Sequence, residues 1–133
     1  MSLSEEEIRR FFRIHKTLHQ MLNDRGYIVT ESETGMTHEQ FVDKYGEDMK
    51  REDLVTLKIK RNDDSDKLIV FFPGETKIGI KQLRPYIARM ESEKIFRAIF
   101  VIKQDFTPFA LESLKTTSSK IHLEIFKVRS SFF

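Results

Sequence analysis

Two largely apolar runs constrain the fold of this 133-residue chain most strongly. They are KLIVFF, Lys67–Phe72, and IFRAIFVIK, Ile95–Lys103. A strand with one solvated face alternates apolar and polar residues, whereas an uninterrupted apolar run is typical of a strand covered on both faces. The two runs therefore predict central strands of a sheet that has helices packed on it.

The segment after the second run predicts how the next strand is connected. Thr107 and Pro108 open a short helical segment that extends to about Leu114, and Lys120–Phe126 then alternates like a strand. A strand, a crossover helix and a further strand imply a parallel pair joined by a right-handed connection.

The first half of the chain predicts two helices and two strands. Residues 4–25 carry apolar side chains at three- and four-residue spacing, which is typical of an amphipathic helix. A short strand is expected at Tyr27–Thr30, and a second helix opens at Thr37. In the strand that follows, the alternation predicts that Leu57 lies on the inner face and Lys58 on the outer face.

Between the two apolar runs, FPGETKIGI is expected to form a hairpin into a third strand, and KQLRPYIARM a helix. Pro85 is placed in the first turn of that helix, because in a helix interior it would cost roughly 3 kcal/mol. The fold class predicted is α/β, with a mixed β-sheet and helices packed on it. One domain is expected over residues 1–126, followed by a short tail, residues 127–133.

Composition excludes several classes of protein and site. The net charge of +2 is too small for a strongly basic nucleic-acid coat protein, so any contact with nucleic acid depends on local placement of charge. The absence of cysteine excludes disulfides and cysteine-based zinc sites. No apolar stretch is long enough to cross a membrane, and no glycine-rich phosphate loop is present, so neither a membrane partner nor a cofactor is expected.

One triplet leaves a metal-dependent nuclease open as an alternative function. In such enzymes a carboxylate and a Glu-x-Lys triplet hold Mg²⁺ and stabilise the attacking water or the phosphate charge, and Glu75–Lys77 has this spacing. Upstream acids occur at Asp63, Asp64 and Asp66, but they lie in a turn, where solvated carboxylates are ordinary.

A histidine pair on the first helix raises the question of a metal site. His15 and His19 are four residues apart, so both could ligate one ion. Lys16 stands where a zinc protease has its catalytic Glu, and a cation there opposes metal binding. The expectation is a helix surface with one half-buried histidine and no metal.

Five basic residues lie at or near the alternating strand: Lys50, Arg51, Lys58, Lys60 and Arg61. Lysines that protect a solvated sheet edge are one explanation. The other is a surface that faces phosphate or an acidic partner.

The predicted helix start at Thr107 has an unusual combination of residues. Thr107 is a good N-cap, Pro108 suits the first helical position, and the N–H groups of Phe109 and Ala110 are expected to point outward. No acid follows until Glu112, so the positive end of the helix dipole is not neutralised internally. Such an end can bind an oxygen of a nucleic-acid backbone.

Four segments resemble one known family in the right order: LNDRGYIVTESE, MKREDLVTLKIKRNDDSDKLIVFFP, IGIKQLRPY and FRAIFVIKQDFTPFALESL. Together they resemble the N-terminal domain of the fifth subunit shared by the eukaryotic nuclear RNA polymerases I, II and III, and the plant members most closely. The Asp-Arg-Gly-Tyr after the first helix and the Thr-Pro after the buried strand are the most specific points.

The resemblance implies a non-catalytic jaw domain near downstream DNA, with a fold related to restriction endonucleases but without their active site. It places Thr107, Pro108, Phe109 and Ala110 close to the downstream duplex, in contact with the backbone and not the bases. It also implies the largest subunit and other polymerase subunits as partners, and the nucleus as location. Family members continue into a C-terminal assembly domain where this chain ends, so a truncated paralogue that does not assemble is a further alternative.

Overall fold

The computed structural model of the protein describes residues 3–75, 77–116 and 121–128. A mixed four-stranded sheet with strand order β1-β2-β3-β4 lies at its centre. The strands are β1 Thr56–Ile59, β2 Lys67–Phe71, β3 Arg97–Ile102 and β4 His122–Lys127. The helices are α1 Glu5–Asp24, α2 Glu31–Thr34, α3 His38–Tyr45, α4 Ile80–Glu93 and α5 Pro108–Thr116, with a 3-10 turn at Arg51–Leu54.

The strand directions confirm the predicted α/β class with a mixed sheet. β1 pairs antiparallel with β2, whereas β2–β3 and β3–β4 are parallel pairs. The helices α4 and α5 make the two parallel crossovers. β4 ends one residue beyond the predicted domain boundary at 126, and the N–H of Val128 still donates to the Ile102 carbonyl at 2.7 Å. Lys120 and the remainder of the predicted tail, residues 129–133, lie outside the described residues.

The central strands are covered on both faces, as their apolar runs predict. On one face α1 and α3 pack through a cluster that includes Phe11, Leu22, Phe41, Val70 and Ile99. On the other face α4 and α5 pack through a cluster that includes Leu83, Met90, Phe71, Phe100 and Ala110. Alternate residues of β2 and β3 thus enter different clusters, which explains why the two runs contain almost no polar residue.

The first helix agrees with its prediction. Ser4 caps α1 and forms a reciprocal capping box with Glu7, and its buried side chains recur at three- and four-residue spacing. After α1, Gly26 adopts a left-handed backbone conformation with φ of 93°. A glycine tolerates this φ without steric cost, so the chain can turn sharply towards β1 at this point.

Two predicted strands are not formed. Tyr27–Thr30 makes only an isolated bridge between Tyr27 and Lys60, and the chain then enters α2, which was not predicted from the sequence. After β2, Ile78 likewise makes an isolated bridge, to Phe106, in place of a hairpin and a third strand. In both places a helix begins within a few residues and limits the pairing to a single bridge.

The position predicted for Pro85 is wrong. Pro85 lies inside α4, five residues after its first residue, and not in its first turn. The helix begins at Ile80, directly after the N-cap residue Gly79. The Gly79 N–H donates to the side-chain oxygen of Gln82 at 3.1 Å. Since proline has no N–H, the helix lacks one of its backbone hydrogen bonds there.

The inner face predicted for β1 is also wrong. Leu57 is 43% exposed, whereas Thr56 is buried and the Lys58 side chain is 11% exposed. A strict alternation shows that a strand has two unlike faces, but it does not show which face meets the helices. Here α2 supplies a carboxylate to Lys58, so the face with the charged residue points inward.

Candidate nucleic-acid interface

The first turn of α5 has the Thr107 cap expected from its sequence, but the N–H of Ala110 is engaged in that cap and does not point outward as predicted. The N–H of Ala110 donates to the Thr107 hydroxyl at 3.2 Å, and the N–H of Leu111 donates to the Thr107 carbonyl at 3.0 Å. Pro108 is exposed, Phe109 is 77% exposed and Ala110 is fully buried. Ala110 therefore anchors the turn in the core, while Pro108 and Phe109 face solvent.

The start of α4 lies directly beside the start of α5. The Thr107 N–H donates to the Ile78 carbonyl at 2.9 Å, and a Cβ added to Gly79 would lie 3.9 Å from the Thr107 hydroxyl oxygen. Neither helix has an acidic residue in its first turn. The positive ends of two helix dipoles thus lie together beyond the C-terminal ends of β2 and β3. No carboxylate in the first turn of either helix neutralises them.

Exposed lysines flank this pair of helix starts in the chain. Lys77 precedes the Ile78 bridge, Lys81 is the second residue of α4, and Lys103 follows β3. Two nearby acids have partners, since Asp105 pairs with Lys127 at 3.0 Å and Glu75 accepts a bond from the Tyr86 hydroxyl at 3.1 Å. The arrangement favours an anion over a cation at this end of the sheet.

The basic residues predicted as a possible surface have mostly internal contacts. Arg51 donates to the carbonyls of Pro73 and Val101 at 2.9 Å, lies over the ring of Phe11, and has its pKa lowered by burial. Lys58 bonds to Glu33 inside the fold. These two side chains bind the protein itself and are not presented together as a basic surface.

The other three basic residues lie at the ends of the same region. Lys60 donates to the Arg25 carbonyl at 2.9 Å and lies over the Tyr27 ring, and Arg61 bonds to the side chain of Asn23. Lys50 is exposed, immediately before the 3-10 turn. The contacts of Lys60 and Arg61 hold the turn after α1 against the end of β1.

Both histidines of the first helix are buried, so the expected single half-buried histidine is wrong. His15 and His19 are 4% and 1% exposed, and their rings stack with centroids 4.0 Å apart. His19 Nδ1 lies 2.7 Å from the His15 carbonyl, so this nitrogen carries the proton and donates. Both nitrogens of His15 are buried without a hydrogen-bond partner among the described residues.

The half-buried carboxylate of Glu33 beside these histidines was not predicted from the sequence. Burial by itself raises the pKa of Glu33, but the bond from Lys58 and the N–H of Thr30 outweigh it and lower the pKa to about 2. Burial lowers the pKa of His15 to about 3 and also lowers that of His19. The capping-box spacing of Thr30 and Glu33 was the sequence signal for α2.

The carboxylates of the nuclease alternative are not brought together. Asp63 and Asp66 precede β2, where Asp66 pairs with Arg97, whereas Glu75 follows the other end of β2 and accepts a bond from Tyr86. Thr76, inside the Glu-x-Lys triplet, lies outside the described residues. Within residues 3–75, 77–116 and 121–128, no group of three or more histidine or carboxylate side chains could hold a metal ion. The nuclease alternative has no support from this geometry.

Over the same described ranges, no helix is both long enough and apolar enough to span a bilayer.

A family model and several curated relatives match this chain, and all of them are described as RNA polymerase subunits. The model of the family described as "RNA polymerase Rpb5, N-terminal domain" matches residues 5–90. A Dictyostelium discoideum protein, DNA-directed RNA polymerases I, II, and III subunit rpabc1, is 40% identical over 123 residues, which cover 91% of this chain and 59% of that protein. The subunit RPABC1 of Caenorhabditis elegans is 37% identical over 131 residues, covering 95% and 62%.

A plant relative matches over a similar length but at lower identity. It is the DNA-directed RNA polymerase subunit 5-like protein 1 of Arabidopsis thaliana, 30% identical over 131 residues, which cover 96% of this chain and 62% of that protein. The chain thus spans about three fifths of the length of these curated relatives.

Proposed function

Because the chain belongs to the family of the RNA polymerase Rpb5 N-terminal domain, we propose that it acts as a non-catalytic module of a DNA-directed RNA polymerase, a jaw element near downstream DNA. Its partners are then the largest subunit and other subunits of a nuclear polymerase, and its location is the nucleus. The relatives are named as subunits of DNA-directed RNA polymerases, which supports the first part of this proposal.

The paired helix starts carry the proposed contact with DNA. Thr107, Pro108 and Phe109 lie at the start of α5, next to the start of α4, and no acid occupies either first turn. Pro108 has no N–H and the Ala110 N–H bonds to Thr107, so the donors proposed for a phosphate oxygen are the Phe109 N–H and the first N–H groups of α4, which has no side-chain cap. The contact would position the duplex and would not read its bases.

The charge of the chain sets the strength of this contact. With a net charge of only +2 the isolated chain neutralises few phosphates, so its binding to duplex DNA should be sequence-indifferent, sensitive to salt and weak. An affinity near the ~10⁻⁴ M limit of non-specific binding is expected. The contact gains effect only when the rest of a polymerase already holds the duplex in place.

The test is the variant Pro108→Glu, placed in a complete polymerase whose subunit carries this motif. A carboxylate at the first helical position suits the dipole but repels phosphate, so the fold and subunit assembly should persist while downstream DNA dissociates faster. Asn62→Glu is the matched control, because Asn62 is exposed in the turn between β1 and β2, at the opposite end of β2. It adds the same charge away from the proposed contact.

Dissociation of elongation complexes should be measured for both variants over a series of salt concentrations. We expect Pro108→Glu to differ from the control most at low salt, where phosphate contacts are strongest. Equal dissociation rates for the two variants at every salt concentration would show that the Thr107–Ala110 turn only caps a helix.

A further inference from the structure

An open groove of about 720 Å³ lies between α1 and β4, on the face of the sheet opposite α4 and α5. Its floor is apolar and is formed by Ile14, Leu18, Met21, Val101, Phe126 and Val128. Phe126 is 36% exposed there although its side chain is fully apolar. The groove therefore leaves hydrophobic surface uncovered by any of the described residues.

The groove runs along a free edge of the sheet. β4 is the last strand in the order β1-β2-β3-β4, so no described strand pairs with its outer side. Two charged residues of β4 form ion pairs, Glu124 with Arg25 at 2.6 Å and Lys127 with Asp105 at 3.0 Å. Between them Ile125 and Phe126 offer no charge that would discourage pairing with another strand.

The rim of the groove is cationic. Arg13 and Lys16 are exposed on α1 and supply this charge, whereas Lys127, at the β4 side, is paired with Asp105. No Asp or Glu is among the described residues that line the groove. The rim therefore complements an acidic partner and disfavours a basic one.

The dimensions fit an extended peptide. The groove-lining part of α1 runs from Arg13 to Met21, which is about 12 Å of helix. About four residues of an extended strand span this length. α1 runs antiparallel to β4, since Arg25 at the end of α1 contacts Glu124 while Ile14 shares the groove with Val128.

We propose that the groove binds an extended segment of a partner protein, which adds to the free edge of β4 as a fifth strand. Two apolar side chains at alternate positions fill the groove beside Met21 and Phe126. An acidic side chain on the same face of the segment, two positions from the apolar pair, meets Arg13 and Lys16, which lie within one helical turn at one end of the groove. Main-chain pairing supplies affinity, and the apolar and acidic positions supply specificity.

The probe is the labelled peptide Glu-Thr-Val-Thr-Val-Thr-Glu, in which apolar and acidic side chains share one face of a strand. Its binding to the full 133-residue chain is measured by fluorescence anisotropy. A peptide with Lys in place of both Glu residues tests the charge. Two further peptides carry backbone N-methyl groups at the odd or at the even positions, so that each loses the donors along one edge.

Variants on α1 locate the binding surface. The double variant Arg13→Glu/Lys16→Glu should weaken binding of the acidic peptide by about tenfold, whereas Arg9→Glu should change it less than about twofold. Arg9 is exposed on the same helix but does not line the groove. Circular dichroism of the variants shows whether the helix is retained.

The proposal predicts that the acidic peptide binds, that the lysine peptide binds at least about tenfold more weakly, and that only one of the two N-methylated peptides loses affinity. Equal binding of the acidic and lysine peptides, or of both N-methylated peptides, would overturn it. So would binding that appears only when residues 129–133 are deleted, which identifies the chain's own end as the occupant. Dimerisation of the chain that the peptide cannot disrupt would identify a second copy instead.

Discussion

Replacement of Lys58 by methionine tests the internal charge cluster that the strand pattern failed to predict. The Lys58 and Glu33 side chains are only 11% and 18% exposed and bond to each other. Methionine keeps most of the aliphatic stem and removes the ammonium group, so that packing changes little and Glu33 loses its main counter-charge.

The expected loss follows from what remains around Glu33. Breaking a fully buried ion pair by removing one partner costs about 3–5 kcal/mol. Glu33 is partly accessible, and its carboxylate still accepts a bond from the Thr30 N–H at 3.0 Å. We therefore expect Lys58→Met to lower the free energy of unfolding by about 2–3 kcal/mol at neutral pH.

The pH dependence of this loss is the more specific part of the prediction. In the native protein the pKa of Glu33 is lowered from 4.5 to about 2, so its stabilising contribution is present above pH 4.5 and is lost as the pH falls towards 2. Without Lys58, burial raises the pKa of Glu33 and fewer groups oppose it. The carboxyl then becomes protonated at a higher pH, which relieves the unpaired charge, so the two proteins should converge in stability as the pH falls.

Urea unfolding of the native protein and of the Lys58→Met variant, at a series of pH values from about 7 to 3, measures how their difference in stability changes with pH. Lys60→Met is the matched control, because Lys60 bonds to the backbone carbonyl of Arg25 and not to a carboxylate. The change in the free energy of unfolding caused by Lys60→Met should be the same at every pH of the series. A loss below about 0.5 kcal/mol for Lys58→Met, or a loss that does not change with pH, would refute the reasoning.

Three further changes should alter stability in distinct ways. Phe41→Ala should lower the free energy of unfolding in urea by roughly 3–5 kcal/mol, since the fully buried ring contacts Phe12 and Tyr45, and a loss below about 1 kcal/mol would contradict this. Pro85→Ala should raise the melting temperature, with a gain of about 1–3 kcal/mol from the restored helical hydrogen bond at an exposed position, and an unchanged temperature would contradict it. His15 has its pKa lowered from 6.5 to about 3 by burial, so its contribution is present above pH 6.5 and lost as the pH falls towards 3. His15→Leu should therefore flatten the pH dependence of unfolding over that interval, and an unchanged slope would contradict it.

The elements that the sequence predicted correctly depend on local information. The capping box of Ser4 and Glu7 and the periodic apolar residues after it define α1, and two largely apolar runs define β2 and β3. Each of these signals is complete within one segment. The class of the fold followed from the second run and the helix and strand after it, because a helix between two strands leaves a parallel crossover as the ordinary connection.

The elements that were predicted wrongly depend on a partner elsewhere in the chain. Lys58 points inward because Glu33, 25 residues away, lies over that face of β1. Nothing within β1 distinguishes this arrangement from one with Leu57 inside. Tyr27–Thr30 and Ile78 have the composition of strands, but only single bridges form because α2 and α4 begin at once.

The candidate site likewise has features that could be predicted from the sequence and features that could not. The cap at Thr107, the exposed Pro108 and the missing acid could be predicted from consecutive residues, and the hydroxyl–N–H bond to Ala110 agrees with that prediction. The neighbouring start of α4 could not, since it depends on a bridge between Ile78 and Phe106, across 28 residues of chain. One capped helix start is common in proteins and indicates little about function. Two starts joined by a backbone bond, both without an acid in the first turn, concentrate donors and positive potential at one end of the sheet, and this concentration is what a phosphate contact requires.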